Sequence, residues 1–422
     1  MSCRCFIVPP HLLRAIAESS QNPEQVRKAA EGSLAAHSRV TTSRRERIAS
    51  LTQPRGNKAA AAVRTAPFIP ESLLTQLSTS ESVDEVTRNR AKRDLCHLHK
   101  LMAKEPTLQK ALAVDEKVSK ELSKAAPYRA VYNAKHSCCS LFNGNTDDLP
   151  GELVRAEGQP EAKDKDVNLA FDNVGHVLSF YREHYNWKSI DNKNADVISS
   201  VHYGDDYENA FWFPEKMQMV FGDGDDFLRN FTGCIDVIGH ELTHAVTEYT
   251  SPLDYENQSG ALNEHIADVF GIMVKQQVEN EPADKADWLI GEYCLLPGVK
   301  GVALRSMKNP GTAYNDPRFG KDPQVDNMAQ YEATTTDNGG VHIYSGIPNK
   351  AFFLASVAFG GYSWEKAGEI WWKAMNCGKV PARCTFKQFA DVTVECAEEL
   401  FGEEAARTVR KAWNEVGITR GI

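Results

Sequence analysis

Long hydrophobic runs are missing from this 422-residue chain: the longest, AFFLASVAFGG from Ala351, falls well short of the roughly 20 apolar residues a membrane-spanning helix needs. No segment is expected to cross a bilayer. The opening MSCRCFIVPPHLLRAIAESS reaches a Pro-Pro pair after only a few apolar residues, so it lacks the continuous apolar core of a secretory signal, and residence in the cytosol is the expectation. Cysteine is sparse too. Ten in 422 residues are too dilute for a disulfide-stapled scaffold. One or two bridges, such as Cys377 to Cys384, fit the count, but free thiols are expected. What is abundant is core material: 42% hydrophobic residues in a chain two or three times the usual domain length implies a multidomain globular protein.

Charge divides the chain unevenly. Residues 1–126 carry 21 Lys and Arg against 13 Asp and Glu, a balance of +8, whereas residues 127–422 stand at −17. A basic segment joined to an acidic body suggests that one docks on the other. An acidic body lacks the basic face that phosphate binding requires, so nucleic acid is not an expected partner.

The two parts also differ in texture. Residues 1–126 are poor in aromatics and read as helices and connectors, with a faint internal echo: FIVPPHLLRAIAESSQNPEQVR from Phe6 matches FIPESLLTQLSTSESVDEVTRNR from Phe68 at Pro9 and Pro70, at Leu12-Leu13 and Leu73-Leu74, and at Arg27 and Arg88. Each copy is a proline followed by an amphipathic helix. Between them QPRGNKAAAAVRT reads as a linker. From Tyr128 onward turns and short strands such as DVISSVHYG and MQMVFGDGDD appear. After Ser251 apolar spacing of three and four dominates, as in ALNEHIADVFGIMVKQQ, WEKAGEIWWKAM and EAARTVRKAWNEVG, and predicts a mainly helical half.

One stretch carries chemistry. In VIGHELTHAVTEYT, His240 and His244 stand four residues apart, one turn apart on one face of a helix, so two imidazoles can reach one metal ion. Glu241 lies beside them, placed to hold a water. After 19 intervening residues SGALNEHIADVFG supplies Glu264, flanked by Asn263 and followed a turn later by Asp268. A catalytic zinc needs three protein ligands and an open fourth position, and His240, His244 and Glu264 meet that need. Ligating histidines usually give their second ring N–H to an acceptor; Asp268 is the candidate for His240 and Asn263 for His244.

With these motifs the chain resembles the thermolysin family of zinc metalloendopeptidases over most of residues 127–422. HELTHAVTEYT and GALNEHIADVFG resemble the family's zinc segments, with Tyr255 in LDYENQSGA between them. NAFWFPEKMQMVFGDGD resembles the cleft edge where the family binds substrate backbone, here through Asn209 and Ala210. LRSM supplies Arg305, which by resemblance would bind a substrate carbonyl. DNGGVHIYSGIPNKAF supplies His342, by resemblance the transition-state histidine, with Asp337 orienting it. The likeness is greatest to the protealysin-like subgroup, whose short precursor opens on a Pro-Pro motif; here it is FIVPPHLLRAIA, with His11 where an aromatic is usual. YRAVYNAKH and LPGELVRAEG resemble that subgroup's mature N-terminus and imply maturation near residues 120–127.

The resemblance implies an α+β, two-lobed zincin: a precursor over 1–126, a mixed α/β lobe over 127–250 ending in the His-Glu-x-x-His helix, and an α-helical lobe over 251–422. It implies one Zn2+ per chain, Glu241 as general base, Tyr255 and His342 as oxyanion donors, peptide substrates cut before bulky apolar residues, and the chain's own precursor as intramolecular inhibitor. Val237 and Leu304 are candidates to line the apolar pocket. The family's double calcium site is in doubt: Asp236, Asp287 and Glu292 remain, but Lys275 and Leu289 stand at ligand positions, and an ammonium cannot ligate calcium. Cys3 and Cys5 raise the idea of a thiolate latch on the zinc; the adjacent Cys138 and Cys139 have no assigned role. Two other functions compete. A zinc aminopeptidase would need an acidic cluster for a free amino terminus, where this chain has NAFW; a degenerate scaffold that only binds partners would not need every chemical residue in place.

Overall fold

Proline opens the first helix. Pro10 takes the first helical position, where its fixed φ and missing N–H cost nothing, and helix α1 runs over Pro10–Glu18 with Leu12, Leu13 and Ile16 on its buried side. A second helix, α2, is seen over 24–35. The computed structural model describes residues 8–35, 126–137, 149–204, 207, 209–213, 216–224, 228–317, 320–335 and 337–419. The echoing copy from Phe68, the linker between the copies, Cys3, Cys5, Cys138 and Cys139 lie outside the described residues. Those described belong to one compact unit, Met1–Ser38 together with Ser123–Ile422.

Five short strands then form one mixed sheet: β1 (Arg129–Asn133), β2 (Glu152–Ala156), β3 (Val197–Val201), β4 (Ala210–Phe213) and β5 (Gln218–Phe221), in the order β2-β1-β3-β5-β4. β1, β3 and β5 pair in parallel, while β2 and β4 close the edges antiparallel. The long helix α3 (Lys165–Tyr185) lies on the sheet; its N-terminus is capped by Asp164, whose carboxylate accepts from the Asp166 and Val167 N–H groups at 3.0 and 3.4 Å. β4 reads AFWF, buried on both faces, and its edge borders the site.

The segments read as helical are helices, α4 (Ile235–Tyr249) around the paired histidines, α5 (Asn257–Glu279), α8 (Lys366–Asn376) and α10 (Glu403–Glu415), and with them stand α6 (Asp337–Tyr344), α7 (Gly346–Phe359) and α9 (Phe386–Phe401). The α+β architecture is therefore as expected, a mixed sheet lobe followed by a helical one. α5 is the axis, with every residue from Ser259 to Gln276 buried. It crosses α4 at two glycines: a Cβ on Gly239 would lie 2.9 Å from Gly271 Cα, and one on Gly271 would lie 2.6 Å from the Asp236 carbonyl. Only hydrogen fits there. The absent side chains let the two backbones touch, which sets the distance between what each helix carries. Among the described residues no helix is long and apolar enough to cross a membrane.

Candidate active site

The glycine crossing aims His240 and His244 of α4 at Glu264 of α5. His240 Nε2 lies 3.0 Å from His244 Nε2 and 3.4 Å from Glu264 Oε2, and His244 Nε2 lies 3.7 Å from Glu264 Oε1. All three residues are fully buried, and one donor atom from each falls within 4.8 Å of the others. Three convergent N and O donors in the interior, with Glu264 Oε2 accepting no hydrogen bond among the described residues, fit a zinc ion. Burial by itself would raise the Glu264 carboxyl, but His342 and the two ligand histidines outweigh it and hold the group well below the usual range.

The outer ring nitrogens are both engaged. His240 Nδ1 meets Asp268 Oδ1 at 2.8 Å, and His244 Nδ1 meets Asn263 Oδ1 at 2.8 Å, so each imidazole is turned with Nε2 inward. Asp268 does more: Arg305 donates to it from two nitrogens at 2.9 and 2.7 Å, and Asn349 Nδ2 donates at 2.9 Å. Arg305, read from the sequence as a contact to substrate, is thus also bound to the carboxylate that orients His240. Asn349 was not singled out beforehand. Its signal is a polar residue on the buried side of an otherwise apolar helix, since it also bonds His265 Nδ1 at 2.8 Å.

Glu241 points toward β4, where its Oε2 accepts the Trp212 backbone N–H at 2.8 Å while Oε1 has no hydrogen-bond partner among the described residues. Burial, with the negative charge of Glu264 adding to it and His240 opposing, pushes the Glu241 carboxyl up to about 8. Opposite stand Tyr255 and His342. The tyrosine hydroxyl donates a short hydrogen bond to Glu264 and lies 3.4 Å from His342 Nε2. His342 Nδ1 meets Asp337 Oδ1 at 2.8 Å, and the His342 N–H donates to Asp337 Oδ2 at 2.9 Å. That double contact needs a tight turn, which Asp337, Asn338, Gly339 and Gly340 supply by adopting positive φ in succession.

The N-terminal segment reaches the same place. Val8 N–H donates to Asn209 Oδ1 at 3.0 Å and its carbonyl accepts from Asn209 Nδ2 at 3.2 Å, while Ala210, next in chain, begins β4. His11 Nε2 is 3.2 Å from the Tyr314 hydroxyl, with Asp337, His342 and Arg305 near enough for their charges to act on it. Burial lowers the His11 imidazole to about 4, so it is neutral in this setting.

The model for the thermolysin metallopeptidase catalytic domain matches residues 117–248, and that for the thermolysin metallopeptidase alpha-helical domain matches residues 251–418. Protease PrtS of Photorhabdus sp. is 47% identical over 307 residues, covering 72% of this chain and 78% of that protein. The chain belongs to the thermolysin metallopeptidase family. It is a zinc metalloendopeptidase. An extracellular metalloprotease of Pectobacterium carotovorum is 48% identical over 271 residues, covering 64% of this chain and 78% of its own. The solved precursor of protealysin, a metalloproteinase from Serratia proteamaculans, superposes with a TM-score of 0.66 at 42% identity, covering 83% of this chain and 99% of that one.

Lys275, at a position where the family resemblance implies a calcium ligand, lies among carboxylates in this thermolysin-family chain. The Lys275 ammonium, buried, donates to Glu292 Oε2 at 3.0 Å, to both Asp287 oxygens at 3.2 and 3.3 Å, and to the Leu289 carbonyl at 3.3 Å. Burial would lower its pKa, but Asp236, Asp287 and Glu292 outweigh burial and hold it above the ordinary lysine value. Val237 and Leu304, named as pocket candidates, are both enclosed in the core, Leu304 lying against Gly291. Cys377 and Cys384 are free thiols, bonded to the Ala374 and Thr385 carbonyls, so no bridge joins them.

Proposed function

We propose that the chain hydrolyses internal peptide bonds with Glu241 as general base, and that residues 8–18 of its own precursor stand in the cleft until they are removed. The convergence of His240, His244 and Glu264 beside Glu241 carries this reading. These three would hold zinc, which when bound supplies Lewis acidity and an activated water. Glu241, fixed by the Trp212 N–H, takes the proton from that water and passes it to the leaving amine. Its raised pKa suits a group that must accept a proton and then release it. Tyr255 and His342 donate hydrogen bonds to the oxygen that gains charge, a contribution of about 3 kcal/mol per donor. Asp337 accepts the His342 Nδ1–H and, against the opposing effect of burial, raises that imidazole to about 8, so near neutral pH the ring is an imidazolium that keeps an Nε2–H to donate. Asp268 and Asn263 likewise hold the protons of the ligand histidines on Nδ1, which leaves their Nε2 lone pairs free.

The latent state is supported by Val8. Asn209 holds both its N–H and its C=O, the two-point grip that an extended substrate backbone would receive. A preference for cleavage before bulky apolar residues rests on family likeness. Zinc content and hydrolysis of an internally quenched peptide, compared for the full chain, the chain after loss of about its first 125 residues, and Glu241→Gln, test the whole reading. One zinc in each, with cleavage only by the shortened unmutated form, is expected. Zinc without cleavage in any form would leave a binding scaffold. Cleavage confined to peptides with a free amino terminus would make it an aminopeptidase. Peptides varied on the leaving-group side read out the apolar preference.

A further inference from the structure

Cys234 and Cys294 meet in the interior. Their sulfurs are 3.1 Å apart, and both residues are buried, with 1% and 0% of their surfaces exposed. Both are free thiols from segments far apart in the chain, and the backbone holds them together. Arg229 N–H donates to the Cys294 carbonyl at 3.0 Å, Leu228 and Leu295 form an antiparallel bridge, and Gly291 N–H donates to Asp236 Oδ2 at 2.6 Å. The two segments therefore lie side by side before any covalent bond, and closing from 3.1 Å to a bond length of about 2 Å brings the sulfurs together by only about 1 Å.

The geometry points to Cys234 and Cys294 as a disulfide cross-link that forms when the chain meets a low-molecular-weight disulfide oxidant. Cys234 is the residue before α4 and lies six positions ahead of His240; Cys294 follows the segment that carries Asp287 and Glu292 around Lys275. A bond here would pin the start of the zinc helix to the loop that the Lys275 ammonium gathers, across a separation of 60 residues in the chain.

The chemistry balances with glutathione disulfide as the oxidant. One cysteine thiolate attacks a glutathione sulfur, forming a mixed disulfide and releasing one glutathione thiolate; the other cysteine thiolate attacks the protein-side sulfur, closing the bond and releasing the second. Two protein thiols lose two protons and two electrons, and one glutathione disulfide becomes two glutathiones. Hydrogen bonding to Cys294, then burial, hold the Cys234 thiol well above its ordinary range. Exchange on the folded chain is accordingly slow, and the bond closes during folding, while the segments are still accessible.

Trypsin gives a clean readout. The sequence has no Lys or Arg between Arg229 and Lys275, or between Lys285 and Lys300, so peptides 230–275 and 286–300 each carry one cysteine, Cys234 and Cys294. The full chain, carrying Glu241→Gln against self-digestion, is expressed once in a reducing cytosol and once in an oxidising compartment, denatured with iodoacetamide, digested without reductant and weighed. The expected result is a joined 230–275/286–300 peptide from the oxidising preparation, absent after dithiothreitol, and an unfolding midpoint a few degrees above that of the reduced protein. Recovery of the two peptides separately, alkylated or carrying glutathione, from a folded protein of the oxidising preparation would overturn the inference.

Discussion

Arg305 and Asp268 are joined by two parallel hydrogen bonds, at 2.9 and 2.7 Å, in the interior behind the zinc-ligand cluster. The same carboxylate receives His240 Nδ1, so one aspartate ties a ligand histidine to a buried guanidinium. Its charge is stabilised twice: although burial opposes ionisation, Arg305 and His240 hold the carboxyl far below the usual range.

Replacing that carboxylate should therefore be felt at the metal. Asp268→Asn keeps the shape but loses the charge that Arg305 and His240 share, and zinc affinity is expected to fall roughly 10- to 100-fold. Competition with a chromogenic chelator measures it. An unchanged zinc affinity would show that the contact does not orient His240.

The glycine crossing should be equally intolerant. Gly271→Ala places a methyl 2.6 Å from the Asp236 carbonyl, against backbone that cannot turn aside. The helices must separate, at a cost of about 3 kcal/mol or more, and zinc binding should weaken with them. Denaturant unfolding and zinc titration read the two effects; Gly32→Ala, on helix α2 where a Cβ meets nothing within 4 Å, controls for glycine removal within a helix.

The Lys275 ammonium lies among the carboxylates of Asp236, Asp287 and Glu292. Lys275→Met should leave buried Asp236 and the half-buried Asp287 and Glu292 facing one another, and destabilise the fold by about 2–3 kcal/mol, below the full value for a buried pair because two of the carboxylates touch solvent. Millimolar calcium is expected to leave the unfolding midpoint of the unmutated chain where it is. A calcium-dependent rise would show that the ion still binds with the lysine in place.

Away from the site, His202 sits between two carboxylates, Nδ1 at 2.8 Å from Asp223 and Nε2 at 2.8 Å from Asp164. The hydrogen bond to Asp223 comes first among the causes that raise the imidazole to about 9, with burial opposing and Asp164 adding to the rise. A histidine raised above its unfolded value of 6.5 stabilises the fold fully below that pH and loses the contribution as pH climbs through about 9. His202→Asn should flatten the stability profile between those limits, removing no more than about 3 kcal/mol on the acidic side, reduced by solvent screening at this partly open site. Urea midpoints at several pH values decide it; a mutant profile as steep as the parent's would assign the slope elsewhere.

Much of this was legible because it is local. Helical spacing alone puts His240 and His244 on one face and Asp268 a turn beyond Glu264, and apolar periodicity alone marks the C-terminal helices, since a helix repeats within four residues. What only the tertiary structure decided are the relations between distant segments, which no short-range pattern encodes. Val8 and Asn209 meet across 201 residues, Asn349 reaches Asp268 across 81, and Cys234 and Cys294 touch across 60. Gly239 and Gly271 are unremarked letters in a sequence until two helices are laid against each other, and then the missing side chains set how closely the zinc ligands approach. Residue types supply the chemistry by their own bonding; close packing between elements far apart in the chain supplies the distances at which that chemistry works.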